Sequence, residues 1–300
     1  MISIQTLLVI FIVLILTLSW KGYSLYRATL PTPILKWDVA NEENTQNIDH
    51  SLWQEILAKY VYVNTNNERA FDYNNVNLSD REKLTYYLSV LQSIDPRDYR
   101  KNEQLAYWIN LYNALVIDLV LTHYPVKSIK EIGDGFTGPW NIIVANIANT
   151  AMSLNNIEHG VLRPLWQDMR IHYVINCASI GCPDLLAKPF TSKDIDEQLN
   201  AAAVRFINQK KSVNLSGKTL IVSSIYDWFS LDFGQNQQAL IYHLIQYAKP
   251  TLKQQLQAFN GTAEFSYDWK LNGLTVGLYS SNNATTGQVG EQLISLQQSN

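Results

Sequence analysis

Charge and sulfur are both scarce in this chain. Charged side chains make up 16% of its 300 residues and the formal net charge is −3; a soluble domain usually carries roughly one quarter charged residues. Asn and Gln take up much of the polar surface instead. No block of Lys and Arg occurs, so nucleic acid is not an expected partner, because binding phosphates requires clustered cations. There is no Gly-rich phosphate loop, no His-Glu-x-x-His helix and no serine elbow. Nucleotide, zincin and serine-hydrolase readings therefore lack their motifs. No internal repeat is present. Cysteine occurs twice, and both copies fall within Asn176-Cys177-Ala178-Ser179-Ile180-Gly181-Cys182-Pro183.

The first segment lacks charge altogether. Residues 2–20 contain no ionisable side chain, and residues 7–16 are aliphatic apart from Phe11. About twenty apolar residues match the hydrocarbon thickness as a helix, and Trp20, Tyr23 and Tyr26 follow as headgroup-level aromatics. No Lys or Arg precedes the run and Leu18-Ser19-Trp20 is a poor cleavage site, so the expectation is one uncleaved anchor rather than a signal peptide. Lys21, Arg27 and Lys36 alone would leave the body in the cytoplasm by the positive-inside rule.

Four parts are expected: a membrane anchor (1–27), a linker (28–48) with Pro31 and Pro33, a single globular domain (49–276), and a polar mobile tail (277–300). Nearly half of all residues are apolar, enough for a sizeable core. Helical periodicity predicts helices at 51–61, 79–93 (capped by Ser79), 102–123, 155–166, 194–209, 225–231, 236–248 and 251–259. The helix at 102–123 is apolar nearly all round and is expected inside the body. Asn155 with Glu158 suits a capping box. Strands are expected at 141–147, 151–154, 171–176, 213–215, 219–222 and 264–267. The fold class is α+β: a helix-rich body with a small, mostly antiparallel sheet, preceded by one N-terminal transmembrane helix.

The blocks Ala106-Tyr107-Trp108-Ile109-Asn110-Leu111-Tyr112-Asn113-Ala114-Leu115, Pro125-Val126-Lys127-Ser128-Ile129, Pro139-Trp140, Ile157-Glu158-His159-Gly160-Val161-Leu162-Arg163, the Cys177–Pro183 turn, Ser223-Ser224-Ile225-Tyr226-Asp227-Trp228-Phe229 and Tyr267-Asp268-Trp269 occur in order. With them the chain resembles the bacterial and plant proteins that carry domain of unknown function 547. The resemblance covers roughly residues 50–275. It implies an exported or lipid-anchored setting and hence an extracytoplasmic body on a single-pass anchor. It also implies a distant similarity to papain-like and transglutaminase-like thiol folds. Those folds place a nucleophilic Cys at a helix start, with His and Asp or Asn later. Here the long helix carries Asn110 and Asn113 but no Cys, and His159 precedes Cys177.

The candidate chemistry centres on sulfur. As a nucleophile Cys177 requires a nearby imidazole, cation or helix N-terminus. His159 is the expected proton carrier, with Glu158, Asn110 and Asn113 holding the geometry. Arg163, Trp140, Cys182 and Asp184 are expected to bind a small-molecule or peptide substrate. This describes a thiol-dependent hydrolase or acyl transferase. The alternative is a non-catalytic or redox module with a Cys177–Cys182 disulfide, for which Gly181 supplies a left-handed turn. Buried, unreactive thiols are a further reading. His159 and His172 could join the sulfurs on zinc, but Cys-x4-Cys and the distant histidines do not form a recognised set. No metal and no cofactor are expected. Two roles stay open for the buried amides Asn110 and Asn113: bonding to a neighbouring loop, or contacting substrate.

Overall fold

The computed structural model describes residues 30–64, 66–133, 138–274 and the backbone of 279–281. The anchor expected at 1–27 and the rest of the tail beyond 281 lie outside these residues.

The body is organised around one long helix. Helix α1 (Ser51–Tyr60) packs on helix α2 (Leu78–Ser93), and α2 packs beside α3 (Lys101–His123), whose residues from Glu103 to Val120 are buried with one exception. By length and composition α3 resembles a membrane span, but 89% of its apolar window is buried within the body. A helix apolar all round belongs in a core. Trp37 packs edge-on against Trp108 of α3, with ring centres 5.2 Å apart, so the residues 30–48 lie against the core.

Three small sheets surround this helix. Strands β1 (Val61–Asn64) and β2 (Arg69–Phe71) form a hairpin, and β8 (Tyr279–Ser281) adds antiparallel to β1. Strands β3 (Ile143–Ile147) and β4 (Thr150–Ser153) form a second hairpin, turning through Ala148 and Asn149, both with positive φ. Strands β5 (Val213–Ser216) and β6 (Thr219–Ser223) are antiparallel, and β7 (Ala263–Ser266) joins β6 in parallel. Helices α6 (Ile195–Ile207), α7 (Ile225–Trp228), α8 (Gln237–Tyr247) and α9 (Pro250–Ala258) complete the body. The helix-rich α+β class is thus observed, with three mostly antiparallel sheets in place of one.

Four local expectations are corrected. The first helix ends at Tyr60 and runs directly into β1, giving a hairpin that the apolar pattern does not announce. Residues 171–176 are not a strand. Met169–Tyr173 is a 3-10 helix, started by Asp168 accepting from the Arg170 amide. Residues 171–176 are all buried without alternation, so they carry no period of two. Helix α2 is capped by Asn77, not Ser79. The capping box belongs to Ser153 and Asn156, two residues before the expected pair.

That box opens α4 (Leu154–Ile157), a π-helical turn (Glu158–Leu162) and α5 (Arg163–Trp166), stacked end to end. Pro164 explains the widened turn. It has no amide to give to Gly160, and the Arg163 amide reaches back to Glu158. The freed carbonyls of His159 and Gly160 accept instead from Thr32 and Ile34, at 2.9 and 2.8 Å.

Candidate thiol site

The thiol turn is held from below by α3. Asn113 donates to the Val174 carbonyl (2.9 Å) and accepts from the Asn176 amide (2.8 Å). The Asn176 side chain in turn donates to the Pro183 carbonyl (2.7 Å) and accepts from the Ala178 amide (2.8 Å). One buried amide therefore positions a second, and the second closes the loop carrying both sulfurs. The left-handed residue is Ala178 (φ 62), not Gly181. Gly181 serves close approach: a Cβ there would meet the Asp268 amide nitrogen and the Tyr267 ring at 2.9 Å. That contact exists because the turn is zipped onto the segment after β7, with Gly181 donating to Asp268 and Ile180 to Lys270. Asn110 makes a similar pair of bonds to the backbone of Phe190 (2.8 and 2.9 Å).

The two sulfurs are 2.8 Å apart, and the Cys177 amide donates to Cys182 Sγ at 2.7 Å. Their surroundings differ. Cys177 is half-buried, and its sulfur also meets Tyr267 Oη at 2.9 Å and Ser179 Oγ at 3.2 Å. Burial alone would raise its pKa, but bonds from Cys182, Ser179 and Tyr267 outweigh it and bring it down to about 7. Cys182 is buried, and burial together with the neighbouring Cys177 charge pushes it well above the ordinary thiol value. Tyr267 opens an aromatic wall. Its ring lies 4.8 Å from Trp228 and 4.7 Å from Trp269, Trp228 stacks on Trp269 at 5.3 Å, and Trp140 meets Trp269 edge-on at 5.7 Å. All four rings are half-buried.

A second polar cluster sits on the π turn. Arg163 grips Asp232 with two bonds, Nε to Oδ2 (2.7 Å) and Nη2 to Oδ1 (3.0 Å), and His172 Nε2 meets the same carboxylate at 2.6 Å. Burial opposes a charge on Asp232, but His172 and Arg163 override it and hold the carboxyl far below its usual range. Arg163 Nη1 also reaches His159 Nδ1 at 3.0 Å. A guanidinium only donates, so Nδ1 is the acceptor and the ring is neutral with its proton on Nε2. Burial and the Arg163 charge push His159 down to about 3. Glu158 accepts from Tyr112 Oη (3.1 Å), and burial raises its pKa. Tyr112 links the clusters, since it bonds Glu158 and lies near enough to both sulfurs for their charge to raise it.

Cys177, Cys182 and Asn113 thus converge, with Trp140 in the adjacent wall. His159, Glu158 and Arg163 form their own group, and no imidazole is among the hydrogen-bond partners of the Cys177 sulfur. Arg163 pairs with Asp232, not with Glu158 or Asp184. Asp184 instead binds Lys211 (2.8 Å) and Gln209 (2.7 Å). No group of three or more His, Cys, Asp or Glu among the described residues is placed to hold a metal ion.

Residues 96–207 match the model of the family described as protein of unknown function, DUF547. This stretch is a DUF547 domain. No curated protein and no solved structure matches the chain. The DUF547 domain supplies α3, the π turn and both cysteines. Asp232, Trp228 and Tyr267, which complete the two clusters, come from the chain beyond it. Tyr267 and the two neighbouring tryptophans were visible as sequence blocks. Ser179 and Asp232 carry no spacing that marks them in the sequence.

Proposed function

We propose that Cys177 and Cys182 form a redox dithiol that exchanges with disulfides, Cys177 attacking and Cys182 resolving. The observation that carries this reading is the 2.8 Å separation of two sulfurs in unlike settings. One is reachable and a thiolate near neutral pH; the other is buried and keeps its proton. In the reducing direction, Cys177 thiolate attacks one sulfur of a substrate disulfide and expels the other as thiolate. Cys182 then attacks the mixed disulfide, its proton passing to the departing thiolate. Two electrons move to the substrate and a Cys177–Cys182 disulfide remains. The reverse sequence oxidises a substrate dithiol. The aromatic wall of Trp140, Trp228 and Trp269 offers a surface for a small-molecule or peptide substrate.

Hydrolysis or acyl transfer through Cys177 and His159 draws less support. His159 is neutral with Nδ1 engaged by Arg163, which suits a hydrogen-bond donor better than a base. The uncharged segment 2–20 supports a membrane anchor, and the family resemblance supports an extracytoplasmic body, where a dithiol meets oxidants.

The test is a titration of the full chain through graded ratios of reduced to oxidised glutathione. Trapping with maleimide and mass measurement then follow. A single reversible transition that protects both cysteines is expected. The Cys182→Ser variant should accumulate glutathione on Cys177. Two thiols that stay alkylatable at every ratio, or a disulfide that glutathione never opens, would sink the proposal.

A further inference from the structure

A cleft of about 460 Å³ lies between the β1–β2 turn and α6, lined by Asn66, Asn67, Asn200, Arg205, Glu197 and Lys249 among others. Its size falls within the range of small-molecule sites. Arg205 Nε is buried there with no hydrogen-bond partner among the described residues; Nε and Nη1 of Arg69, at the start of β2 and behind the residues that line the cleft, are likewise buried without one. The two guanidinium groups are close enough to repel. Burial lowers the basicity of both, and the Arg205 charge lowers Arg69 further, to about 10. Asp184 is the carboxylate near both, but its oxygens are taken by Lys211 and Gln209. Gln209, which also lines the cleft, has a buried Oε1 without a donor.

Carboxylates pair two other buried or half-buried arginines of this chain. Arg163 is paired by Asp232, and Arg170 by Asp168 and Asp196. Leaving the N–H groups of two guanidinium ions dry and unpaired is strongly unfavourable, unless an anion arrives from outside. Arg69, Arg205, Lys249 and Lys211 stand against two carboxylates, Glu197 and Asp184, so the surplus is two positive charges.

We propose that Arg69 and Arg205 form a binding site for a dianionic oxyanion, a soluble phosphate monoester, held in this cleft. Planar guanidinium forks match pairs of phosphate oxygens. The Gln209 carbonyl oxygen and the side chains of Asn66, Asn67 and Asn200 face the polar remainder of the ligand. The site is independent of the thiol chemistry.

Thermal melts of the full chain with inorganic phosphate and glycerol 3-phosphate, against sodium chloride at matched ionic strength, test it. Wild type should show a saturable rise in Tm, roughly 4 °C at ten times Kd. Arg205→Gln and Arg69→Gln should lose that rise while melting no lower than wild type without ligand, because each removes an unpaired charge. Equilibrium dialysis of radiolabelled phosphate against wild type gives a reading that needs no variant. No saturable uptake, a rise equal to that with chloride, or an unchanged response in Arg205→Gln would overturn the site.

Discussion

Cys177 owes its acidity to three neighbours and not to an imidazole. Tyr267 and Ser179 present hydroxyls to the sulfur, and their oxygens lie 2.8 Å apart, so two hydroxyl hydrogens are shared among the three atoms. Removing either leaves the thiolate with fewer donors inside a buried site, and its pKa must rise. In wild type the rate of alkylation at Cys177 should climb with pH to a midpoint near 7 and then level. In Tyr267→Phe and Ser179→Ala the midpoint should move upward by about half to one pH unit, slowing alkylation at pH 7 by roughly 2–5-fold. Gly181→Ala should act in the same direction without deleting a donor, since its new methyl collides with the Tyr267 ring. A midpoint that stays put in Tyr267→Phe would show that the hydroxyl does not stabilise the thiolate. At this scale the sequence names the sulfurs, the π-turn residues and the two helix amides, because unusual residues in apolar surroundings stand out. It does not name Asp232, which lies in a turn 69 residues from Arg163. A lone carboxylate in a turn has no local signature, and only the fold pairs it.

The π turn is the element onto which the N-terminal segment of the body is strapped. Pro164 widens it, and the carbonyls so released hold Thr32 and Ile34. Gly160 makes room for that strap: a Cβ there would lie 2.6 Å from Ile34 Cδ1. Gly160→Ala should therefore loosen the strap. Because Ile34 is a flexible side chain and Ala favours helix by about 1 kcal/mol, global stability should change little. Amide exchange at Thr32 and Ile34 should nonetheless speed up severalfold, as hydrogen–deuterium exchange would report. Unchanged exchange there would mean that the strap does not depend on the missing Cβ. Elements with a 3.6-residue period and a clear stop or start are legible: α2, α3, α8 and α9 fall within a few residues of where periodicity puts them, and the β3–β4 and β5–β6 hairpins follow their turns. Misreadings cluster where a pattern is shared. Ile171-His172-Tyr173-Val174-Ile175 is apolar and buried throughout, so the same residues suit a strand or a tight helix. The carbonyl of Val174 goes to Asn113 and not to a neighbouring strand. Nothing in 61–71 marks β1 and β2 apart from α1, since Val61 continues the apolar face of that helix.

At the scale of the whole molecule, buried imidazoles set the response to acid. His50, His159 and His243 are each pushed down from 6.5, to about 4, 3 and 4, foremost by burial. Each ring finds a partner that suits its neutral form: Tyr87 for His50, Arg163 for His159, Tyr173 for His243. The unfolded chain protonates all three near pH 6.5, whereas the folded chain does so only at lower pH. Between these values the unfolded state binds more protons, so stability present above pH 6.5 is lost as pH falls toward 4. Each histidine contributes a slope of about 1.4 kcal/mol per pH unit in that window. Glu158 and Asp118 act the other way, because burial raises both and the folded state then holds protons that the unfolded state has shed. His172 is lowered by burial too, so four imidazoles stand against two carboxyls and leave a net loss, expected at roughly 3–6 kcal/mol between pH 7 and pH 5. That is a large share of the roughly 5–15 kcal/mol available to an ordinary domain. Urea unfolding at pH 7, 6 and 5 measures it directly, and the midpoint should fall at each step. A profile flat across that range would mean that these rings are already charged in the folded protein. It would also undo the assignment of His159 as a neutral donor beside Arg163.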